Sequence, residues 1–194
     1  MKVTCRHLMN NVLPAALDYE AAEKNLSVAY AEDVSSFHWE GVAQLAKRRA
    51  AELSIAIDGL TDRAHVETGA GKNDIRNRIA ALCYWPGGTI FRPGSAERIR
   101  GVANAYKHQT LNDPTLPITS DSDVLVVGLG FGLDVYGVGK YSDIEVIVKD
   151  KNGQSWKFLG DAPTVISAWF RFLVAHGMAI PNGPYQIFGL QLYP

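Results

Sequence analysis

The segment from 162 to 176 constrains the fold more than any other part of the chain, because its helical pattern is apolar almost all round. Asp161 is placed to cap this helix, Pro163 fits its first turn and Gly177 is placed to end it. Its large apolar side chains are those of Val165, Ile166, Trp169, Phe170, Phe172, Leu173 and Val174. A helix without a polar face is buried. We therefore expect it in a core shared by both halves of the chain, and a single domain spanning residues 1–194.

Residues 1–110 are expected to form a bundle of about four helices. The clearest helix, at roughly 37–60, has apolar residues at a spacing of three to four. These residues are Val42, Leu45, Ala46, Ala50, Leu53, Ile57 and Leu60. Three further helices are predicted at about 14–30, 73–85 and 95–111. Ser95 is the predicted N-cap of the last of them.

The pattern changes after residue 120, where strands are expected. Residues 124–127 form a short apolar run, and residues 144–149 alternate with Glu145 on the polar side. Asn152-Gly153 then predicts a β-hairpin, because both residues tolerate positive φ. The expected fold class is α+β: an N-terminal helical bundle (1–110) packed with a small antiparallel β-hairpin sheet and an apolar C-terminal helix (120–194).

Composition excludes several functional classes. A formal net charge of -1 excludes a strongly basic nucleic-acid binder. No run of about 18 apolar residues is present to span a membrane. Cys5 and Cys83 are too few for a disulfide framework, so we expect free thiols and a cytoplasmic protein. No cofactor and no metal are predicted, since a zinc site from Cys5, His7 and Cys83 is unspecific.

Positive charge is concentrated between residues 72 and 108, where seven lysines and arginines face only Asp74 and Glu97 among acidic residues. Such a stretch is typical of solvated helix faces, and it is also compatible with an anion-binding or nucleic-acid surface. Both interpretations stay open.

One helix face within this stretch combines side chains that bind phosphate and transfer protons. Arg100, Asn104, Lys107 and His108 fall within roughly a 100° sector of the predicted helix. A guanidinium or ammonium group binds phosphate, and an imidazole transfers protons near neutral pH. We interpret Arg100 and His108 as candidate catalytic residues, and Asn104 and Lys107 as candidate ligand-binding residues. The alternative is a polar stripe that is solvated or lines an interface.

A glycine-rich segment, 128–141, follows the first predicted strand. Its Gly128, Gly130 and Gly132 have the spacing GxGxG rather than GxGxxG, and no helix pattern follows to hold a pyrophosphate. A dinucleotide site is therefore not predicted. Binding of a small ligand by this loop remains a hypothesis.

The segment 104–108, Asn-Ala-Tyr-Lys-His, resembles a short Asn-Ala-x-Lys-His helix motif of uncharacterised bacterial helical proteins, which are distantly similar to the HEPN superfamily. The resemblance implies a helical, dimeric protein. In family members that are metal-independent ribonucleases, an arginine holds the scissile phosphate and a histidine transfers protons. Arg100 and His108 would take these roles here, with seven residues between them against four to six in the family.

Three functions are compatible with these patterns. The first is a soluble, non-enzymatic interaction protein, acting as a homodimer. The second is an HEPN-like ribonuclease or a protein that binds RNA or a nucleotide through the 100–108 face. The third is a small-ligand binder that uses the glycine-rich loop.

Overall fold

The computed structural model describes residues 1–32, 39–108, 113, 115–128, 138–140, 143–181, 183 and 185–192. It confirms an α+β fold with a small antiparallel sheet and an apolar C-terminal helix. The helices are α1 (Lys2–His7), α2 (Leu13–Glu32), α3 (Glu40–Thr68), α4 (Lys72–Ala81), α5 (Ser95–Lys107) and α6 (Phe158–Ala175). The strands are β1 (Val124–Gly128), β2 (Ile144–Lys149), β3 (Ser155–Lys157), β4 (Gln186–Ile187) and β5 (Leu190–Gln191).

The first helical segment begins earlier than the sequence predicted, because α3 caps it. The Glu67 carboxylate accepts hydrogen bonds from the backbone N–H groups of Val3 and Thr4, both at 2.9 Å. These are donors that α1 leaves unpaired at its N-terminus. Burial alone would raise the pKa of Glu67, but the hydrogen bonds from Thr4 and Val3 outweigh it and lower the pKa to about 2. A π-helical turn, Leu8–Val12, joins α1 to α2.

The predicted hairpin is present. Strands β1, β2 and β3 form one antiparallel sheet in that order, with Val126 opposite Val146 and Val148 opposite Trp156. Gly153 lies in the turn between β2 and β3 with φ 81°, a conformation that few residues other than glycine adopt. The Asn-Gly signal therefore located the turn correctly.

Strand β2 is buried on both faces, which the alternating pattern did not predict. Glu145, expected on a polar face, is fully buried. Its carboxylate lies 2.9 Å from Lys157 Nζ on β3, while Glu23 of α2 lies 2.7 Å from Lys140 Nζ. Helices α2 and α6 both pack against β2, so the charged side chain of Glu145 is tolerated in this buried strand because it is paired.

Helix α6 is the core helix that its composition predicted. It has the length and hydropathy of a membrane span, but 83% of it is buried within the protein, as in the core helix of a soluble protein. One hydrophobic cluster joins its side chains to those of the helical part and of the sheet. Leu26, Leu60, Val146 and Phe170 are fully buried members of this cluster.

The start of α6 and the start of α5 both differ from the sequence prediction, for one shared reason. Asp161 does not cap α6, which begins three residues earlier at Phe158, and Ser95 does not cap α5, whose N-cap is Gly94. Both side chains are fully buried, and Ser95 Oγ donates to Asp161 Oδ1 at 2.8 Å. The two residues bond to each other instead of to their own helix ends.

Two buried guanidinium groups complete this cluster around Asp161. Arg92 Nη2 donates to Asp161 Oδ1 at 3.0 Å, and Arg98 Nε donates to Asp161 Oδ2 at 2.6 Å. The two arginines are 3% and 4% exposed. We call Arg92, Ser95, Arg98 and Asp161 the Asp161 cluster.

Replacement of the central carboxylate is expected to destabilise the protein strongly. Asp161→Asn leaves two buried guanidinium groups without a counter-charge, and we expect a loss of about 3–5 kcal/mol in the free energy of unfolding. Urea denaturation followed by circular dichroism measures it. The matched control is Asp18→Asn, at a side chain that is 62% exposed. A loss below about 1 kcal/mol, the ordinary effect of a point mutation, would contradict a central role for the cluster.

The buried Glu145 predicts a characteristic dependence of stability on pH. Burial raises the pKa of Glu145 from 4.5 to about 7, the nearby Lys157 lowers it and Glu23 raises it. Between these two values the folded protein binds more protons than the unfolded chain, so stability falls as the pH rises from about 4.5 to about 7. Glu145→Gln should reduce this fall by about 3 kcal/mol, measured by urea denaturation across that range. The exposed Glu52→Gln serves as control, and identical pH profiles for wild type and Glu145→Gln would contradict the prediction.

Candidate functional site

A cleft of about 530 Å³ opens between α3, α4 and α5, with α6 beneath it. Its polar lining residues are Asp58, Thr61, Asn73, Arg76, Asn77, Glu97, Arg100, Asp113 and Thr115. Its apolar lining residues are Ile57, Ile79, Ala96, Ile99, Val165 and Trp169. The cleft is thus more polar than the usual small-molecule site, which is mostly apolar with a few polar groups.

Helical spacing explains why these side chains face one another. On α4, Asn73, Arg76 and Asn77 lie three and four residues apart and therefore share one face. Glu97 and Arg100 lie three residues apart on α5 and share a face in the same way. The two helices pack together, so the cleft has one polar wall from each.

The guanidinium groups of Arg76 and Arg100 act on the same carboxylate. Hydrogen bonds from Thr115 lower the pKa of Asp113 below its usual value, and the positive charges of Arg100 and Arg76 lower it further. Arg100 Nη1 lies 3.5 Å from Asp113 Oδ2. Arg100 therefore pairs directly with this carboxylate, and Arg76 acts on it through space from the other helix.

The contacts that hold these charges are weak. Asp113 is 37% exposed in its pair with Arg100, and an exposed pair at 3.5 Å contributes about 0–1 kcal/mol. Arg76 donates to Asn73 Oδ1 at 3.2 Å. Buried polar atoms usually have partners, yet Arg76 Nε and Glu97 Oε2 find no hydrogen-bond partner among the described residues. Both atoms belong to residues that line the cleft, but the atoms themselves are buried.

The structure brings some of the predicted site residues together and separates others. Arg100 lines the cleft, and Lys107 Nζ donates to Asp58 Oδ2 at 2.8 Å, so Lys107 neutralises a carboxylate of the cleft wall. Asn104 is half-buried, and its backbone oxygen accepts from His108 N at 3.0 Å. Neither Asn104 nor His108 is among the described residues that line the cleft.

His108 lies outside the described lining of the cleft, about two turns along α5 from Arg100. It is exposed at the C-terminal end of α5, in an extended conformation with φ -126°. Eight residues of helical rise separate the two positions by about 12 Å along the axis. Sharing an angular sector of the helix therefore does not place the two side chains on one ligand atom.

The sequence patterns missed the opposite wall of the cleft. Asn73, Arg76 and Asn77 on α4, and Asp113 after α5, were not singled out. The spacing of the three α4 residues and the positive charge of the 72–108 stretch were the available signals. Neither signal shows which helix packs against which.

A second cleft, of about 660 Å³, lies beside Lys140 between α2 and the start of α6. Lys140 Nζ donates to the backbone oxygen of Glu23 at 2.7 Å, to Ser27 Oγ at 2.6 Å and to a backbone oxygen of β2 at 2.9 Å. An ammonium group has three donors, so this charge is already satisfied. The ligand-binding hypothesis for the 128–141 loop falls mainly on residues 129–137, which lie outside the described part of the chain.

Within the residues that the structure describes, no three histidine, cysteine, aspartate or glutamate side chains are grouped so as to hold a metal ion. Cys5 and Cys83 are both free and buried. Comparisons of the chain with protein-family models, with curated proteins and with solved structures found no match.

Proposed function

We propose that this protein is a non-enzymatic binding protein that takes a phosphate-bearing small ligand, of the nucleotide class, in the cleft between α3, α4 and α5. One observation carries the proposal: Arg76 of α4 and Arg100 of α5 line the same cleft, and the positive charges of both lower the pKa of Asp113 in its wall. In this proposal Asp113 occupies the position that the ligand phosphate takes.

The chemistry of the cleft favours a phosphate over a simple carboxylate. A guanidinium group presents parallel N–H donors that match two oxygens of one phosphate, and two such groups match a dianion. The side-chain amides of Asn73 and Asn77 can donate to further oxygens from the α4 wall. The apolar floor, which includes Ile99 and Val165, leaves room for the less polar part of a nucleotide.

The negative charges of the cleft do not exclude such a ligand. Lys107 neutralises Asp58 in a close contact at 2.8 Å, whereas the Arg100–Asp113 pair is loose and partly exposed. An incoming phosphate therefore competes with a contact that contributes little. Cytoplasmic location remains part of the proposal, and the free thiols of Cys5 and Cys83 support it.

Arg76→Ala and Arg100→Ala are each expected to weaken nucleotide binding about tenfold or more, because a hydrogen bond to a charged group contributes roughly 1.5–3 kcal/mol. Isothermal titration calorimetry with the four 5′-ribonucleoside monophosphates and with inorganic phosphate, at low ionic strength, measures this. Asp113→Asn should tighten phosphate binding up to about fivefold, since it removes the competing carboxylate.

The control for this experiment lies on the same helix. Arg78→Ala removes the same charge from α4, but Arg78 is exposed and is not among the described residues that line the cleft. Equal weakening by Arg78→Ala would mean that net charge alone attracts the anion. A wild-type protein that binds none of the five compounds would overturn the proposal.

RNA cleavage of the HEPN type is the alternative proposal, and the exposure of His108 favours it. Because about 12 Å of helix separates His108 from Arg100, cleavage would require His108 from a second copy of the chain, and hence a homodimer. We expect no cleavage of single-stranded RNA by the wild-type protein in a gel assay. Cleavage that His108→Ala abolishes, together with a dimer in sedimentation velocity, would replace the binding proposal with the enzymatic one.

A further inference from the structure

We infer that the ligand of this cleft is a ribonucleotide and that Glu97 accepts hydrogen bonds from its sugar hydroxyls. The inference rests on the proposed function, because Arg76 and Arg100 must hold the phosphate for Glu97 to reach the sugar.

Glu97 places a carboxylate in the wall of the cleft. The residue is half-buried and lines the cleft, and its Oε2 atom is buried without a hydrogen-bond partner in the described part of the protein. An ionised carboxylate only accepts hydrogen bonds. A ligand atom beside it must therefore be a donor, which excludes a second phosphate at this place.

The position of Glu97 relative to Arg100 selects which donor it meets. Glu97 precedes Arg100 by three residues on α5, so their Cβ atoms lie about 5–6 Å apart on one helix face. A group that Glu97 reaches is therefore close to the phosphate that Arg100 holds. In a 5′-nucleotide the sugar is attached directly to the phosphate, whereas the base lies one ring further away.

Sugar hydroxyls are suitable partners for this carboxylate. The 2′ and 3′ hydroxyls of ribose are neighbouring donors, and acidic side chains bind ribose hydroxyls in dinucleotide-binding folds. A 2′,3′-dideoxyribose has neither donor and would leave the Glu97 carboxylate without a partner from the ligand. The cleft should therefore discriminate between the two sugars.

The test compares sugars on a constant base and phosphate. The monophosphate that binds most tightly among the four ribonucleotides is titrated beside its 2′-deoxy and 2′,3′-dideoxy forms and inorganic phosphate, by isothermal titration calorimetry. We expect the ribonucleotide to bind the wild-type protein about tenfold more tightly than the dideoxy form, because a site built for a hydroxyl rejects an analogue that lacks it.

Variants of Glu97 separate this effect from a general loss of binding. Glu97→Ala should bring the ribose-to-dideoxyribose ratio close to one while phosphate binds at least as tightly as to wild type, because a negative charge has been removed. Glu97→Gln keeps an uncharged acceptor, so this variant should still prefer ribose over dideoxyribose, but by a smaller affinity ratio than the wild type. Thermal melting confirms that both variants fold.

The two possible failures are distinguishable. The wild-type protein could bind nucleotides and phosphate with a ribose-to-dideoxyribose affinity ratio near one, or Glu97→Ala could leave that ratio unchanged. Either result would overturn the role of Glu97 and leave the binding proposal intact. No binding of any nucleotide or of phosphate would overturn both.

Discussion

The buried carboxylate of Asp161 is the interaction on which the arrangement of this protein depends. It lies in the first turn of the core helix α6 and accepts hydrogen bonds from Arg92, Ser95 and Arg98, which hold the start of α5 against it. Arg98 also lies 3.9 Å from the ring centroid of Trp156 on β3. A single carboxylate thus connects the helical part, the sheet and the central helix. Because a buried charge is tolerated only when it is paired, these three elements cannot separate without a large cost.

The close approach of these groups depends on glycine. A Cβ atom on Gly160 would lie 2.6 Å from Arg92 Nη2, and one on Gly94 would lie 2.7 Å from Arg98 Nη1. Gly94 also has φ 77°, which lets the chain turn into α5 without a side-chain cap. The cluster therefore needs small residues beside the charged ones. Arg98 and Asp161 are 63 residues apart in the sequence, so no local sequence pattern predicts that they meet.

The sequence predicted those parts of the structure that depend on local chemistry. The all-apolar composition of α6 predicted its burial, and Asn152-Gly153 predicted the hairpin. The sequence-based prediction was wrong where a side chain that favours a helix cap or an exposed strand position also has a partner on a distant element. Asp161 and Ser95 are good helix caps in isolation, and Glu145 stands at a polar position of an alternating strand, but each is buried against partners from another element. The reason is physical: a buried arginine or lysine binds a carboxylate more strongly than a helix end does.

The same distinction governs the candidate site. Helical periodicity identified Arg100, because one face of one helix is a local property, but the cleft exists only where α4 supplies a second wall with Arg76. Two arginines of α5 differ in how firmly the fold holds them. Arg98 is 4% exposed and bound to Asp161 at 2.6 Å, whereas Arg100 is 17% exposed and 3.5 Å from Asp113. The Asp161 cluster holds α5 in place through Arg98, and the same helix carries Arg100 and Glu97 in the cleft wall. A guanidinium group that is positioned by the fold but only loosely paired binds an anion without first paying the entropy of being ordered.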